Sequence, residues 1–102
     1  MSDQLSIKDR FIYFYSKNKY LFDSFEHVYL FGSIIKDKDF PNDIDLLLVY
    51  SKYSERLLFE KNQICSLIEY ALDISVDITM LSVYELHDTI FLDRIVKYYQ
   101  LK

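Results

Sequence analysis

The feature that most constrains the fold of this chain is a run of apolar residues near its centre. Residues 43–50 (DIDLLLVY) form the most hydrophobic stretch, and apart from two aspartates they show no alternation of polar and apolar side chains. A strand with this pattern is buried on both of its faces, so other layers of structure must cover it from two sides. The run therefore predicts the central strand of a sheet that is flanked by helices.

The rest of the chain alternates between helical and strand patterns. Ser82 and Glu85 have the spacing of a capping box, which begins the last helical segment. We therefore expect the order α-β-β-α-β-α, a small α/β (α+β) fold with a mixed three- or four-stranded sheet. The predicted elements are a helix over residues 3–22 capped by Ser2 or Asp3, strands over 27–31 and 43–50, a helix opening at Ser51 or Ser54, a strand over 75–81 and a helical tail to Lys102. A break in this tail near Asp88 is left open as an alternative.

The composition limits the class of protein. The chain has 102 residues, of which 51% are hydrophobic and 27% charged, and this balance suits one folded domain over residues 1–102. A net charge of −4 disfavours DNA as a partner, because phosphate binding needs clustered Lys and Arg. The single cysteine, Cys65, excludes an internal disulfide, and the sequence shows neither a signal peptide nor a membrane-spanning run. We expect an acidic cytoplasmic protein that makes no membrane contact.

The sequence contains a single glycine, and its position is informative. An average composition would supply about seven glycines in a chain of this length, but only Gly32 is present, at the end of the predicted first strand. Glycine there indicates a backbone with positive φ or a close approach by another group. Together with Ser33 and Lys36 it would offer backbone N–H groups, a hydroxyl and a positive charge to a phosphate. A tight turn without a ligand is the alternative.

Two aspartates interrupt the apolar central strand. Asp43 and Asp45 are two positions apart, so their side chains leave the same face of the strand, roughly 6.5–7 Å apart at Cα. Charges on so apolar a strand are costly unless something pairs with them, and the strand carries no basic residue. Mg²⁺ is the natural partner, because it takes one or two carboxylates together with waters and substrate phosphates. If the third strand lies beside the central one, Asp77 completes a cluster of three carboxylates.

These motifs resemble the signature of a known family, the minimal nucleotidyltransferases (MNT) of the DNA polymerase β-like superfamily. The signature is Gly-Ser, about nine to thirteen residues, Asp-hydrophobic-Asp, and a third aspartate on a later strand. This sequence departs from it at Asn42, where many members have serine, and lacks a second glycine or arginine after Gly-Ser. The matching segments are residues 30–33 (LFGS), 36–41 (KDKDFP), 43–49 (DIDLLLV) and 76–78 (VDI), and residues 93–99 (DRIVKYY) resemble the C-terminal helix of the family.

The resemblance implies an activity and the residues that perform it. Members of this superfamily transfer a nucleoside monophosphate, here AMP from ATP, with two Mg²⁺ ions. Asp77 would also help to deprotonate the attacking hydroxyl. The implied residues are Asp43, Asp45 and Asp77 for metal binding and catalysis, and Gly32, Ser33 and Lys36 for the phosphates of the nucleotide.

Many minimal members are antitoxins of HEPN/MNT toxin–antitoxin pairs. The resemblance therefore implies a helical HEPN-type partner protein, modified on a hydroxyl group, and a homo- or hetero-oligomer. The alternative is a binding module of the same fold that neutralises its partner by complex formation without catalysis. Other motifs indicate no site: His27 and His87 lack metal-ligand spacing, and Cys65 lies on an apolar helical stripe.

Overall fold

A computed structural model describes residues 6–35 and 43–102. These residues form the mixed α+β fold that the sequence predicts, with helices on both faces of a sheet. Two short 3₁₀ turns, Lys19–Phe22 and Gly32–Ile34, follow the first helix and the first strand. The helices are α1 (Ile7–Lys17), α2 (Glu55–Leu72), α3 (Val83–Thr89) and α4 (Phe91–Ile95), and the strands are β1 (His27–Phe31), β2 (Ile44–Tyr50), β3 (Val76–Ser82) and β4 (Tyr98–Gln100).

The described strands form one mixed sheet in the order β3-β2-β1-β4. β1 pairs antiparallel with both β2 and β4, whereas β2 and β3 are parallel and are joined through α2. β2 therefore has a neighbour on each side, and its residues 46–49 are fully buried. The prediction of a central strand covered on both faces is confirmed.

The two faces of this sheet are covered unequally. On one face, α1 and α2 pack over a large cluster that includes the fully buried Leu46 and Ile64. The opposite face has a buried cluster of Tyr29, Leu47 and Val49, covered by half-buried side chains from α3 and α4. We call these the α1/α2 face and the α3/α4 face. The second has the thinner cover.

Polar side chains cap the starts of the longer helices. The hydroxyl of Ser54 accepts a hydrogen bond from the backbone N–H of Leu57 and opens α2, one of the two starts predicted. Ser82 and Glu85 form the predicted capping box at the start of α3. Among the helices described, none is long and apolar enough to cross a membrane.

The first helix is shorter than predicted at both ends. It begins at Ile7, because Ser6 accepts a hydrogen bond from the N–H of Asp9 and caps it. It ends before Asn18, whose side chain donates to the carbonyl of Phe14 and whose backbone leaves the helical region, so that a separate 3₁₀ turn follows. The predicted caps, Ser2 and Asp3, lie outside the described residues.

The predicted helical tail is wrong over its second half. Left-handed backbone at Ile90 (φ 47°) ends α3, and positive φ at Val96 (68°) ends α4. Tyr98 and Tyr99 then pair with β1 as strand β4, instead of continuing the C-terminal helix expected from the family resemblance. Tyrosine favours strands, and β4 satisfies backbone groups that β1 would otherwise leave open at its outer edge.

Candidate active site

The structure brings Asp45 and Asp77 together on neighbouring strands. Asp45 of β2 lies opposite Asp77 of β3 on one side and opposite Phe31 of β1 on the other. Side chains alternate along a strand, so Asp45 leaves the same face as Leu47, which is the α3/α4 face. The two carboxylates thus belong to one row that crosses the sheet at the end where β1 finishes. This is the juxtaposition expected if β2 and β3 are neighbours.

Asp43 lies just before β2 and adds a third charge beside this row. Both Asp43 and Asp45 are half-buried, whereas Asp77 is exposed. Burial, followed by the charges of Asp43 and Asp77, raises the pKa of Asp45 to about 6. Within residues 6–35 and 43–102, no Lys, Arg or His forms an ion pair with these carboxylates. The described part of the chain therefore supplies no paired cation to the cluster.

The donor set fits Mg²⁺ rather than a metal that is held by protein ligands alone. No three His, Cys, Asp or Glu side chains converge to metal-binding distance anywhere in the described residues. Mg²⁺ does not require such a cage, because it keeps waters and is bound by one or two carboxylates plus phosphates of a substrate. The pair Asp45 and Asp77, with Asp43 close by, provides that kind of partial ligand set.

Gly32 is required at its position for two reasons. Its φ of +84° lies in the region that side chains rarely adopt. A Cβ atom there would lie 2.8 Å from Cγ of Asp45 and would overlap its Oδ2. The sequence predicted a positive φ or a close approach, and the structure shows both. The approaching group is the Asp45 carboxylate, so the glycine lets the end of β1 fit against the acidic cluster.

Ser33 follows directly and carries a buried hydroxyl. Its Oγ has no hydrogen-bond partner among the residues that the structure describes. Buried polar atoms are rarely left without a partner, so this oxygen indicates a polar group that comes from outside the described residues. A phosphate oxygen is a group of this kind. Lys36, the third residue predicted to contact phosphate, lies outside the described residues, as does Asn42.

A second concave region lies on the same face of the sheet, away from the carboxylates. It has a volume of about 340 Å³ and is lined in part by His27, Tyr29 and His87. His27 is at the opposite end of β1 from Gly32, so this cavity does not include the acidic row. The sequence separated the two histidines by 60 positions and gave no signal that the fold brings them to one cavity.

Comparisons with known proteins relate the chain to one family. The profile of the family described as "Polymerase beta, Nucleotidyltransferase" matches residues 13–100. That range contains Gly32, Ser33 and the three aspartates. A search of curated proteins found no match.

Solved toxin–antitoxin complexes are among the structural neighbours of this chain. One is a tri-AMPylated Shewanella oneidensis HEPN toxin in complex with MNT antitoxin, with a TM-score of 0.59, 16% identity, and a match that covers 94% of this chain and 71% of that one. Another is a mutant of the toxin–antitoxin pair MntA–HpeT, with a TM-score of 0.58, 19% identity, and coverage of 97% and 73%. At these identities the likeness shows the fold.

Proposed function

Because the chain belongs to the polymerase beta, nucleotidyltransferase family, we propose that it transfers AMP from ATP to a hydroxyl group of a partner protein in a Mg²⁺-dependent reaction. The observation that carries this proposal is the row formed by Asp45 and Asp77, with Gly32 against Asp45. It combines carboxylates that no basic side chain of the described residues pairs with and a glycine turn packed against one of them. The nucleotidyltransferase fold generally uses Mg²⁺ and a nucleoside triphosphate.

Each residue of the cluster has a proposed role. Asp43 and Asp45 would hold two Mg²⁺ ions together with the nucleotide, and Asp77 would hold the ion nearer to the acceptor. Bound Mg²⁺ would neutralise the triphosphate and stabilise the attacking and leaving oxygens. Gly32 and the hydroxyl of Ser33, which has no partner among the described residues, would contact the phosphates, with Lys36 as a third contact.

The reaction is an in-line displacement at the α-phosphorus of ATP. The acceptor hydroxyl loses its proton to the carboxylate of Asp77, and its oxygen forms a bond to phosphorus. The bond between that phosphorus and the bridging oxygen breaks, and pyrophosphate leaves. The protein mainly positions the groups and compensates charge, which a rigid sheet end does well.

The partner is proposed from the structural neighbours. One of them contains a HEPN toxin that carries AMP groups together with its MNT antitoxin. We therefore propose that this chain is the antitoxin of a cytoplasmic HEPN/MNT pair, and that the acceptor is a tyrosine or another hydroxyl of the toxin. A helical partner of that kind would supply the acceptor side of the site.

The test is transfer from ATP labelled at the α-phosphate to the copurified partner, with Mg²⁺. We expect label on the partner, and its loss by at least about 10³-fold in the double variant Asp43→Ala/Asp45→Ala, because three carboxylates act as a unit. The matched control is Asp88→Ala/Asp93→Ala, which removes the same charge from exposed positions of α3 and α4. No label with any of the four nucleotides, while the first variant still binds the partner, would instead support a binding module without catalysis.

A further inference from the structure

β3 forms an edge of the sheet, and its outward backbone groups are occupied at both ends of the strand. At the start, the N–H of Val76 donates to Oε2 of Glu69 (2.9 Å), and its carbonyl accepts from the thiol of Cys65 (3.7 Å). At the end, the N–H of Ser82 donates to Oε1 of Glu85 (2.9 Å). Two glutamates from flanking helices thus close the two ends of this edge.

Between these ends the edge is open. In-plane N–H and C=O groups alternate along a strand, so Ile78 and Met80 point outward like Val76 and Ser82, while the residues between them face β2. Among the described residues, nothing bonds the backbone groups of Ile78 and Met80 on this side. Native proteins usually protect such an edge, because it is a template for pairing with another chain. Here Ile78 and Met80 form an unprotected segment of the edge, which we call the window, and an extended peptide would fill it.

The window lies directly beside the acidic row. Asp77 falls between Val76 and Ile78, and its side chain is on the α3/α4 face next to Asp45. A strand added to β3 would extend this row by one position, about 4.8 Å from Asp77. A hydroxyl-bearing side chain of that strand on the same face would therefore be in contact with Asp77.

The charge around the start of the window favours a basic segment. Glu69, Asp73 and Asp77 are exposed there, and the first two line a depression of about 250 Å³ together with Ile74 and Ser75. Lys61 is a basic residue of the same neighbourhood, because its charge and those of Glu69 and Asp77 all act on Cys65. The surface is thus complementary to Lys or Arg side chains that flank the hydroxyl residue.

We propose that the open edge of β3 binds an extended basic segment of the acceptor protein as an additional strand, and that this pairing presents the acceptor hydroxyl to Asp77. The proposal rests on the proposed transfer function and names the surface on which the acceptor docks. Main-chain hydrogen bonds to Ile78 and Met80 supply the register, and the acidic residues at the start of the strand select the sequence.

A synthetic peptide tests docking and transfer separately. The probe is a peptide of about nine residues in which Lys and Val alternate around a central Tyr, so that Lys and Tyr share the face of Asp77. We expect amide hydrogen exchange at Ile78 and Met80 to slow by at least about 10-fold when the peptide is added, and label from ATP to appear on its tyrosine. Methylation of the peptide amides that face β3 should remove both effects, whereas methylation of the alternate amides should not.

The outcomes separate the two proposals. Slower exchange without label supports docking and contradicts the transfer function. Label without slower exchange supports transfer and overturns docking at this edge, as does a peptide that gives neither effect.

A backbone variant of the protein gives an independent test. Met80→Pro removes the outward N–H, and that N–H is not part of the ladder with β2, so the strand can still pair. In this variant we expect labelling of the peptide and protection of Ile78 to fall by at least about 10-fold. The control Met80→Leu retains the N–H and should leave both unchanged. Thermal melting checks that the proline variant folds. If it does not fold, the methylated peptides test docking at the β3 edge on their own. Unchanged labelling in a folded Met80→Pro protein would overturn the proposal.

Discussion

The two faces of the sheet differ in what they contribute to the molecule. On the α1/α2 face, side chains such as Leu46 and Leu48 are completely buried beneath helices of 11 and 18 residues. On the α3/α4 face, the covering helices have seven and five residues, and neither contains a fully buried side chain. Asp45 and Asp77 leave the sheet on this second face. The α1/α2 face therefore provides most of the buried core, and the α3/α4 face leaves charged groups accessible.

The difference teaches where a small domain can place charge. A carboxylate that is buried without a partner is expensive, and the raised pKa of Asp45 shows that even partial burial disfavours its ionised form. Beneath α1 and α2 the same group would be far from water and from any ligand. At the open end of the thin face, a cation and a phosphate can reach it. A site of this kind lowers stability in exchange for ligand binding.

The largest effect should come from a matched pair of truncations on β2. Leu46 and Leu47 are adjacent and both fully buried, but they point to opposite faces. We expect Leu46→Ala to lower the free energy of unfolding by about 4 kcal/mol and Leu47→Ala by about 2–3 kcal/mol, because the thinner layer can collapse into the space left behind. Urea denaturation of both variants measures the difference. Equal costs would mean that the two faces are equally well packed.

A smaller effect is expected where β1 meets the acidic row. Gly32→Ala should lower the free energy of unfolding by about 2 kcal/mol, because alanine disfavours positive φ and its Cβ overlaps Asp45. In the double variant with Asp45→Ala the contacts with Oδ2 and Cγ are removed, and only the Cβ of residue 45, at 3.1 Å, remains, so the two effects should be non-additive by at least about 0.5 kcal/mol. Additive costs would show that the backbone conformation alone requires the glycine.

The smallest effect concerns the charge of the row itself. The usual pKa of the Asp45 carboxyl is 3.8 and its folded value is about 6, so the folded state binds the proton more tightly than the unfolded chain. Without divalent cation, the contribution of Asp45 to the stability of the protein should therefore fall as the pH rises from about 4 to about 6. Asp45→Asn should flatten this dependence and raise the free energy of unfolding at pH 7 by about 1 kcal/mol. This is less than the pKa shift alone would give, because solvent reaches the half-buried carboxyl and screens its charge.

Denaturation in the presence of a chelator, repeated between pH 4 and pH 7, measures this effect. Asp88→Asn, at an exposed position of α3, is the control and should change stability by no more than about 0.5 kcal/mol. A gain for Asp45→Asn that is the same at pH 4 and at pH 7 would contradict an origin in the charge.

Much of the fold follows from local patterns in the sequence. The apolar run at residues 43–50 predicts the central strand because burial on both faces leaves no polar alternation. Ser54, Ser82 and Glu85 mark helix starts because their side chains satisfy backbone N–H groups nearby in the chain. In each case the signal is carried by residues close in sequence, and the structure confirms the prediction.

The C-terminal segment could not be predicted in this way. Its helical pattern is interrupted at Ile90 and Val96, β-branched residues that rarely adopt positive φ. What decides the conformation of residues 98–100 is the open edge of β1, which is about 70 positions away in the sequence. A contact of that range leaves no local signal.

The candidate site also combines features that local sequence patterns predict with contacts that they do not. The spacing of Asp43 and Asp45 and the lone Gly32 were visible in the sequence, and Asp77 was expected as their neighbour. The roles of these residues, and of Ser33 and Lys36, stay predictions. Contacts such as the Glu69 carboxylate on the N–H of Val76 had no sequence signal, because any acidic residue near the end of α2 looks like a solvated side chain.

The pairing of β1 with β4 also bears on how the protein is synthesised. Tyr29 pairs with Gln100, so one edge of β1 has no partner until residue 100 has left the ribosome. The β2-α2-β3 unit, by contrast, is contiguous in the chain and can assemble earlier. In the interval, a nascent chain presents a strand containing Val28 and Leu30 with an unpaired edge, which is a surface prone to aggregation. The outer edge of β1 is therefore exposed to wrong pairing during synthesis and is covered once β4 has formed.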